Sequence, residues 1–138
     1  MRSAPATKAP PAVRLRLWLP VALMMAAQLF LSSQSRLPDV LPAVPGGDKL
    51  QHGTWFFVLG LLAFRSGRLG EGWSRPVSAG LVLAGALLWG AGDELHQLFV
   101  PGRQAEVADL AADVAGTALA VALGEPLLRR LGRRRPVP

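Results

Sequence analysis

Two short stretches of this 138-residue chain hold side chains that could do chemistry: GGDKLQH at 46–52 and DELHQLFVPGRQAEVADLAAD at 93–113. Together they supply Lys49, His52, Glu94, Gln97, Arg103, Asp109 and Asp113, with Asp48, Asp93 and Glu106 beside them. An imidazole among carboxylates, His52 with Glu94 or Asp109, can work as acid and base. His52, Glu94, Asp109 and Asp113 would also offer nitrogen and oxygen ligands to a divalent metal. Arg103 could grip a phosphate or carboxylate with its planar fork, and Lys49 could meet the same group as a point charge. A nucleophile is harder to find: nothing in the sequence activates Ser32, Ser33 or Ser35. There is no H-E-x-x-H, no glycine-rich phosphate loop and no cysteine. The residues themselves therefore assign no catalytic set, no metal and no cofactor.

The elements that must position these groups are apolar. Hydrophobic residues make up 51% of the chain and charged ones only 17%, less charge than a soluble domain of this size usually carries on its surface. Four apolar runs, about 17–33, 50–64, 77–99 and 108–127, predict an all-α four-helix transmembrane bundle. A span needs about 20 residues, whereas the strictly uncharged parts are nearer to about 15, so polar groups must enter the outer turns and arginines must snorkel at the inner ends. The domain is expected over 15–128, with disordered basic tails at 1–14 and 129–138 rich in proline and arginine.

Basic residues set the expected orientation. Of 15, only Arg36, Lys49 and Arg103 fall on one side of such a bundle, and the rest cluster at the two termini and between the second and third runs. Both termini are then expected in the cytoplasm. The arginines punctuate apolar runs instead of lining a face, which argues against nucleic acid as a partner. A cleaved signal peptide would also begin with basic residues and an apolar run. No A-x-A-like site follows, however, and the run is long for a signal sequence.

Within that frame the chemically able residues all fall at the outer ends. Asp48 is expected to cap the second helix. Lys49 and His52 in its first turn oppose the helix dipole, as do Asp93 and Glu94 near the end of the third helix. These faults cancel if the helices pack with the charges facing inward. A lone charge at the centre of a span costs about 2.5–3.5 kcal/mol, so an inward, paired arrangement is expected. Asp109, Asp113, Gly116 and Ala120 form one stripe of the fourth helix, acidic above and small below. Gln28 could join the cluster or bond a neighbouring helix. His96 is expected at the headgroups, and Trp55, Trp73 and Trp89 as interface anchors or core. Such a cluster could bind a ligand or could only fix helix register.

SSQS at 32–35, DKLQH at 48–52 and ELHQLFVPGRQAEVADLAADVAG at 94–116 together resemble the VanZ-like family of small bacterial integral membrane proteins. The resemblance covers about residues 16–127. It rests on Ser32, Ser33 and Ser35; on Asp48, Lys49 and His52; on Glu94 and Gln97; on Pro101 and Arg103; and on Asp109, Asp113 and Gly116. Asp113 departs from the family pattern, which often has asparagine there. The resemblance implies a multi-pass protein of the bacterial inner membrane and, through the family's namesake, a link to teicoplanin-type glycopeptide resistance. It carries no reaction with it. The expected role is a cell-envelope accessory or binding protein with an outward polar site. Its partners would be membrane lipids and an anionic lipid-linked or peptide envelope ligand, and an oligomer is compatible with this. The alternatives are an intramembrane hydrolase or transferase acting on a lipid-linked substrate, and a purely structural membrane subunit.

Overall fold

The computed structural model describes residues 7–35 and 46–133, which form four α-helices: α1 Pro11–Ser32, α2 Gly47–Leu69, α3 Arg75–Gln97 and α4 Val107–Arg133. Among the described residues there is no strand, as the all-α reading expects. The helices have 22, 23, 23 and 27 residues, longer than the uncharged runs because polar turns are wound into both ends. At about 1.5 Å per residue even α1 is about 33 Å long, enough for a hydrocarbon core of about 30 Å. Helix also reaches back to Pro11 and on to Arg133, into the stretches expected as tails. Tail residues 1–6 and 134–138, and Arg36, lie outside the described residues.

Burial runs opposite to that of a soluble protein. Large apolar side chains such as Leu23, Phe30, Leu88 and Leu119 are exposed, while Gln28, Ser66, Asp93, Asp113 and Thr117 are buried. Apolar groups outside and polar groups inside suit a hydrocarbon solvent, where an unpartnered polar group is costly. α1, α3 and α4 are each long and apolar enough to cross a membrane. The chain is a membrane protein. α2 has the length but not the apolarity, so the expectation of four spans is met on composition by three. The position of α2 accounts for this, because it packs against all three other helices and most extensively against α4.

Small residues make the α2–α4 contact close. A Cβ at Gly116 would lie 2.1 Å from the backbone oxygen of Gly53, and one at Gly60 would lie 3.0 Å from the Ala120 Cβ. The expected stripe on α4 is this seam. Thr117 donates its hydroxyl to Asp113 O of its own helix at 2.9 Å, and Phe56 and Phe64 fill the interior on either side. Gly90 on α3 leaves room for the Asp113 carboxylate, since a Cβ there would stand 2.9 Å from its Oδ2.

The end of the bundle that carries the α2–α3 connection is tied by a second set of charges. Glu71 accepts from Arg14 Nε at 2.8 Å and from Trp18 Nε1 at 3.0 Å. The Arg14 guanidinium beside it holds the Glu71 carboxyl below its ordinary range, against a smaller upward push from burial. Trp18 and Trp73 meet edge to face with centroids 6.2 Å apart. Arg68 Nε pairs with Glu125 at 3.0 Å, and Arg68 Nη1 donates to the Trp73 carbonyl. These contacts place Trp73 in the packing of this end.

Candidate functional site

The C-terminal ends of α1 and α3 and the N-terminal ends of α2 and α4 meet at the opposite end of the bundle. There they surround a pocket of about 360 Å³. His52, Trp55, Asp93, Gln97, Arg103 and Asp109 are on its wall.

On the α2–α4 side, Lys49 is the hub. Its Nζ lies 2.8 Å from Asp48 Oδ2, 2.5 Å from Glu106 Oε2 and 2.8 Å from Asp109 Oδ1. One turn deeper, His52 Nδ1 is 3.0 Å from Asp113 Oδ1. An ionised carboxylate only accepts, so Nδ1–H is the donor in this contact, and in the neutral imidazole Nε2 then carries the lone pair. That Nε2 faces Asp109 Oδ2 at 3.9 Å, too far for a hydrogen bond.

On the α3 side the acids are met by amides and a backbone N–H, and no ion pair forms among the described residues. Asp93 Oδ2 accepts from Gln28 Nε2 at 3.1 Å and Gln97 Nε2 at 3.2 Å. Trp89 Nε1 donates to Gln28 Oε1 at 2.9 Å, which fixes the Gln28 amide for this contact. Gln28 therefore both joins the cluster and ties α1 to α3. Glu94 Oε2 accepts the Glu106 backbone N–H at 2.7 Å, just before α4 begins. Arg103 Nη2 donates to Gln97 Oε1 at 3.3 Å, and among the described residues Arg103 makes no ion pair.

All seven residues expected at the site, Lys49, His52, Glu94, Gln97, Arg103, Asp109 and Asp113, gather at this end. The pairing differs from expectation. The α2 cations meet the acids of α4, not those of α3, because the glycine seam draws α2 and α4 together. Asp113 pairs with His52. Asp48 is not the helix cap. Gly46, with φ 76°, takes the cap position and starts α2 at Gly47. Asp48 then falls in the first turn, where it accepts the Lys49 N–H at 2.9 Å. His96 is half-buried and bonded to Ser33, its Nε2 lying 3.0 Å from Ser33 Oγ. Ser33 Oγ also donates to the Leu29 carbonyl at 2.6 Å, so this hydroxyl is already engaged with the backbone.

Two members were not among the expected seven. Asp93 binds Gln28 and Gln97, and Glu106 contributes both its carboxylate and its amide. A signal for Asp93 was present, since Trp89, Asp93 and Gln97 recur every four residues on one face of α3. Several acceptors remain open. Asp93 Oδ1, Glu94 Oε1 and Asp113 Oδ2 are buried without a hydrogen-bond partner among the described residues, and so is the donor Trp55 Nε1.

The VanZ/LLP1 family model matches residues 19–128, and no curated protein and no solved structure matches the chain. The match begins inside α1, includes every residue of the polar pocket described above and ends in the last turns of α4. On that extent the chain belongs to the VanZ/LLP1 family.

Proposed function

We propose that this is a multi-pass protein of the bacterial cytoplasmic membrane, with both termini in the cytoplasm, whose pocket opens outward and binds a zwitterionic group of the cell envelope. The observation that carries this reading is the pocket wall, where Arg103 and the carboxylates of Asp93 and Asp109 stand around one space. Carboxylates outnumber cations, so a bare anion would meet net repulsion. A group with its own ammonium would be drawn to the carboxylates, while its phosphate or carboxylate would meet the Arg103 fork and the open Trp55 N–H. A lipid-linked phosphate bearing an amine, or a peptide with both charges, has this chemistry. The teicoplanin link of the family's namesake suits an accessory protein acting on such groups.

The test is binding of an amine-bearing isoprenoid phosphate, and of a short peptide with both termini free, to the purified protein in nanodiscs. Arg103→Ala is expected to weaken binding of either ligand by about 1.5–3 kcal/mol, the worth of a hydrogen bond to a charged group. Equal binding by wild type and variant rejects the reading. In cells the same variant at normal abundance is expected to lose any glycopeptide tolerance the wild type confers. A purely structural subunit would instead lose abundance and phenotype together.

A further inference from the structure

We propose that His52, Glu94 and Asp109 form a site for one divalent transition-metal ion, such as Zn²⁺ or Mn²⁺, open to the polar pocket. One ligand atom from each of these residues lies within 4.8 Å of the others. They come from three different helices, α2, α3 and α4, so the bundle itself holds the set together. The donor mix is one imidazole nitrogen and two carboxylates, the set that suits such ions.

Each donor is prepared for this role. Asp113 Oδ1 holds His52 Nδ1 at 3.0 Å and leaves Nε2 on the Asp109 side, where the neutral imidazole would offer its lone pair. A carboxylate orienting an imidazole in this way is the usual outer partner of a metal-bound histidine. Glu94 is 7% exposed, and its Oε1 has no hydrogen-bond partner among the described residues. Asp109 gives Oδ1 to Lys49 and keeps Oδ2 on the His52 side. In tetrahedral coordination at about 2.0–2.1 Å, donor atoms stand about 3.3–3.4 Å apart. The 3.9 Å between His52 Nε2 and Asp109 Oδ2 closes to that value with a small side-chain rotation.

Charge points the same way. Asp93, Glu94, Asp109 and Asp113 are all buried at this end of the bundle, and Lys49 is the only ammonium among them. A second acidic trio, Asp48, Glu106 and Asp109, also has metal-like spacing, but Lys49 Nζ already sits among its oxygens. The ammonium sits within one trio, and in the other Glu94 has an open buried oxygen and no cation paired to it among the described residues. Three protein donors leave a fourth position free, and His52 and Asp109 both line the pocket. That position would therefore face whatever enters. The metal proposal shares Asp109 with the zwitterion reading but does not require it.

The test uses the full chain in detergent, stripped with a chelator and dialysed against Zn²⁺ or Mn²⁺. One equivalent is expected. Glu94→Gln and His52→Ala should weaken binding by more than about a hundredfold, and Asp113→Asn, which acts through His52, by about 10–100-fold. Asp48→Asn, in the Lys49 trio, should leave it unchanged. Glu94→Gln removes a buried charge that no cation pairs with among the described residues, and its amide oxygen can still accept the Glu106 N–H, so its metal-free melting temperature should equal or exceed that of the wild type. Co²⁺ bound to the wild type should show the intense visible bands of a four-coordinate site and paramagnetically shifted imidazole proton signals, a readout independent of any variant's folding. The proposal is overturned by wild-type protein that takes up no stoichiometric metal, by uptake confined to Mg²⁺ or Ca²⁺, or by a Co²⁺ spectrum without nitrogen ligation. It is equally overturned if Asp48→Asn abolishes binding while Glu94→Gln does not. Metal binding with no ligand binding would reject the zwitterion reading alone, and the converse would reject the metal alone.

Discussion

Lys49 carries an unusual share of the charge balance at its end of the bundle, because one ammonium answers Asp48, Glu106 and Asp109. Lys49→Ala is expected to lower both melting temperature and membrane abundance, since three carboxylates are left to repel one another. Adding Asp109→Asn should restore part of the loss. Thermal melts of the single and double variants check this, and an unaffected single variant would contradict it. The other end has its own sensitive residue in Glu71. Its carboxyl is held below the ordinary range of about 4.3 by Arg14, so its stabilising effect is complete above that ordinary value. The effect is lost as pH falls through the lowered value of the folded protein. Glu71→Gln should therefore flatten the acid limb of the stability curve while leaving the neutral and basic limbs parallel to wild type. Melting curves taken from pH 7 down to about pH 3 would show it.

Among the elements, α2 and α4 are joined by the tightest glycine contact of the described residues. A methyl group at Gly116 would meet the Gly53 carbonyl at 2.1 Å, and backbone cannot step aside as a flexible side chain can. Gly116→Ala should cost about 1–3 kcal/mol, the usual range for overpacking, measurable by chemical or thermal unfolding in detergent. Gly85→Ala, where a Cβ meets nothing within 4 Å, is the matched control and should be neutral or slightly stabilising. This seam was legible in advance, because Asp113, Gly116 and Ala120 recur at helical spacing. The partners of the α3 acids were not. Asp93 and Glu94 are adjacent, so they point about 100° apart around the helix and serve different neighbours. Asp93 turns to Gln28 on α1 and Glu94 to the start of α4. Periodicity within α3 shows that both can be buried, but only the packing order of the other helices decides which neighbour each one meets. Asp48 is not the cap for a similarly local reason, since the glycines before it let the chain turn earlier and Gly46 takes the cap position ahead of Gly47.

For the whole molecule, the topology in the Proposed function is directly checkable because the chain has no cysteine. A single cysteine at Ser35 should react with an impermeant thiol reagent added outside intact cells, and one at Arg130 only after permeabilisation. The opposite pattern would invert the bundle and turn the pocket inward. α1 adds a further consequence. Toward one end Ser66 donates its hydroxyl to the Leu17 carbonyl at 2.8 Å, and Glu71 receives Arg14 and Trp18. Near the other end Gln28 and Ser33 reach α3. Between Val21 and Gln28 no residue of α1 is buried, and α1 makes no close approach to α4. The helix is thus fastened like a strap at its two buckles, and it should be the first part of the molecule to come loose. Residues 22–27 would stay helical in hydrocarbon, so spin-label distances from Met24 to α4 should broaden on mild heating well before those between α2 and α4 do.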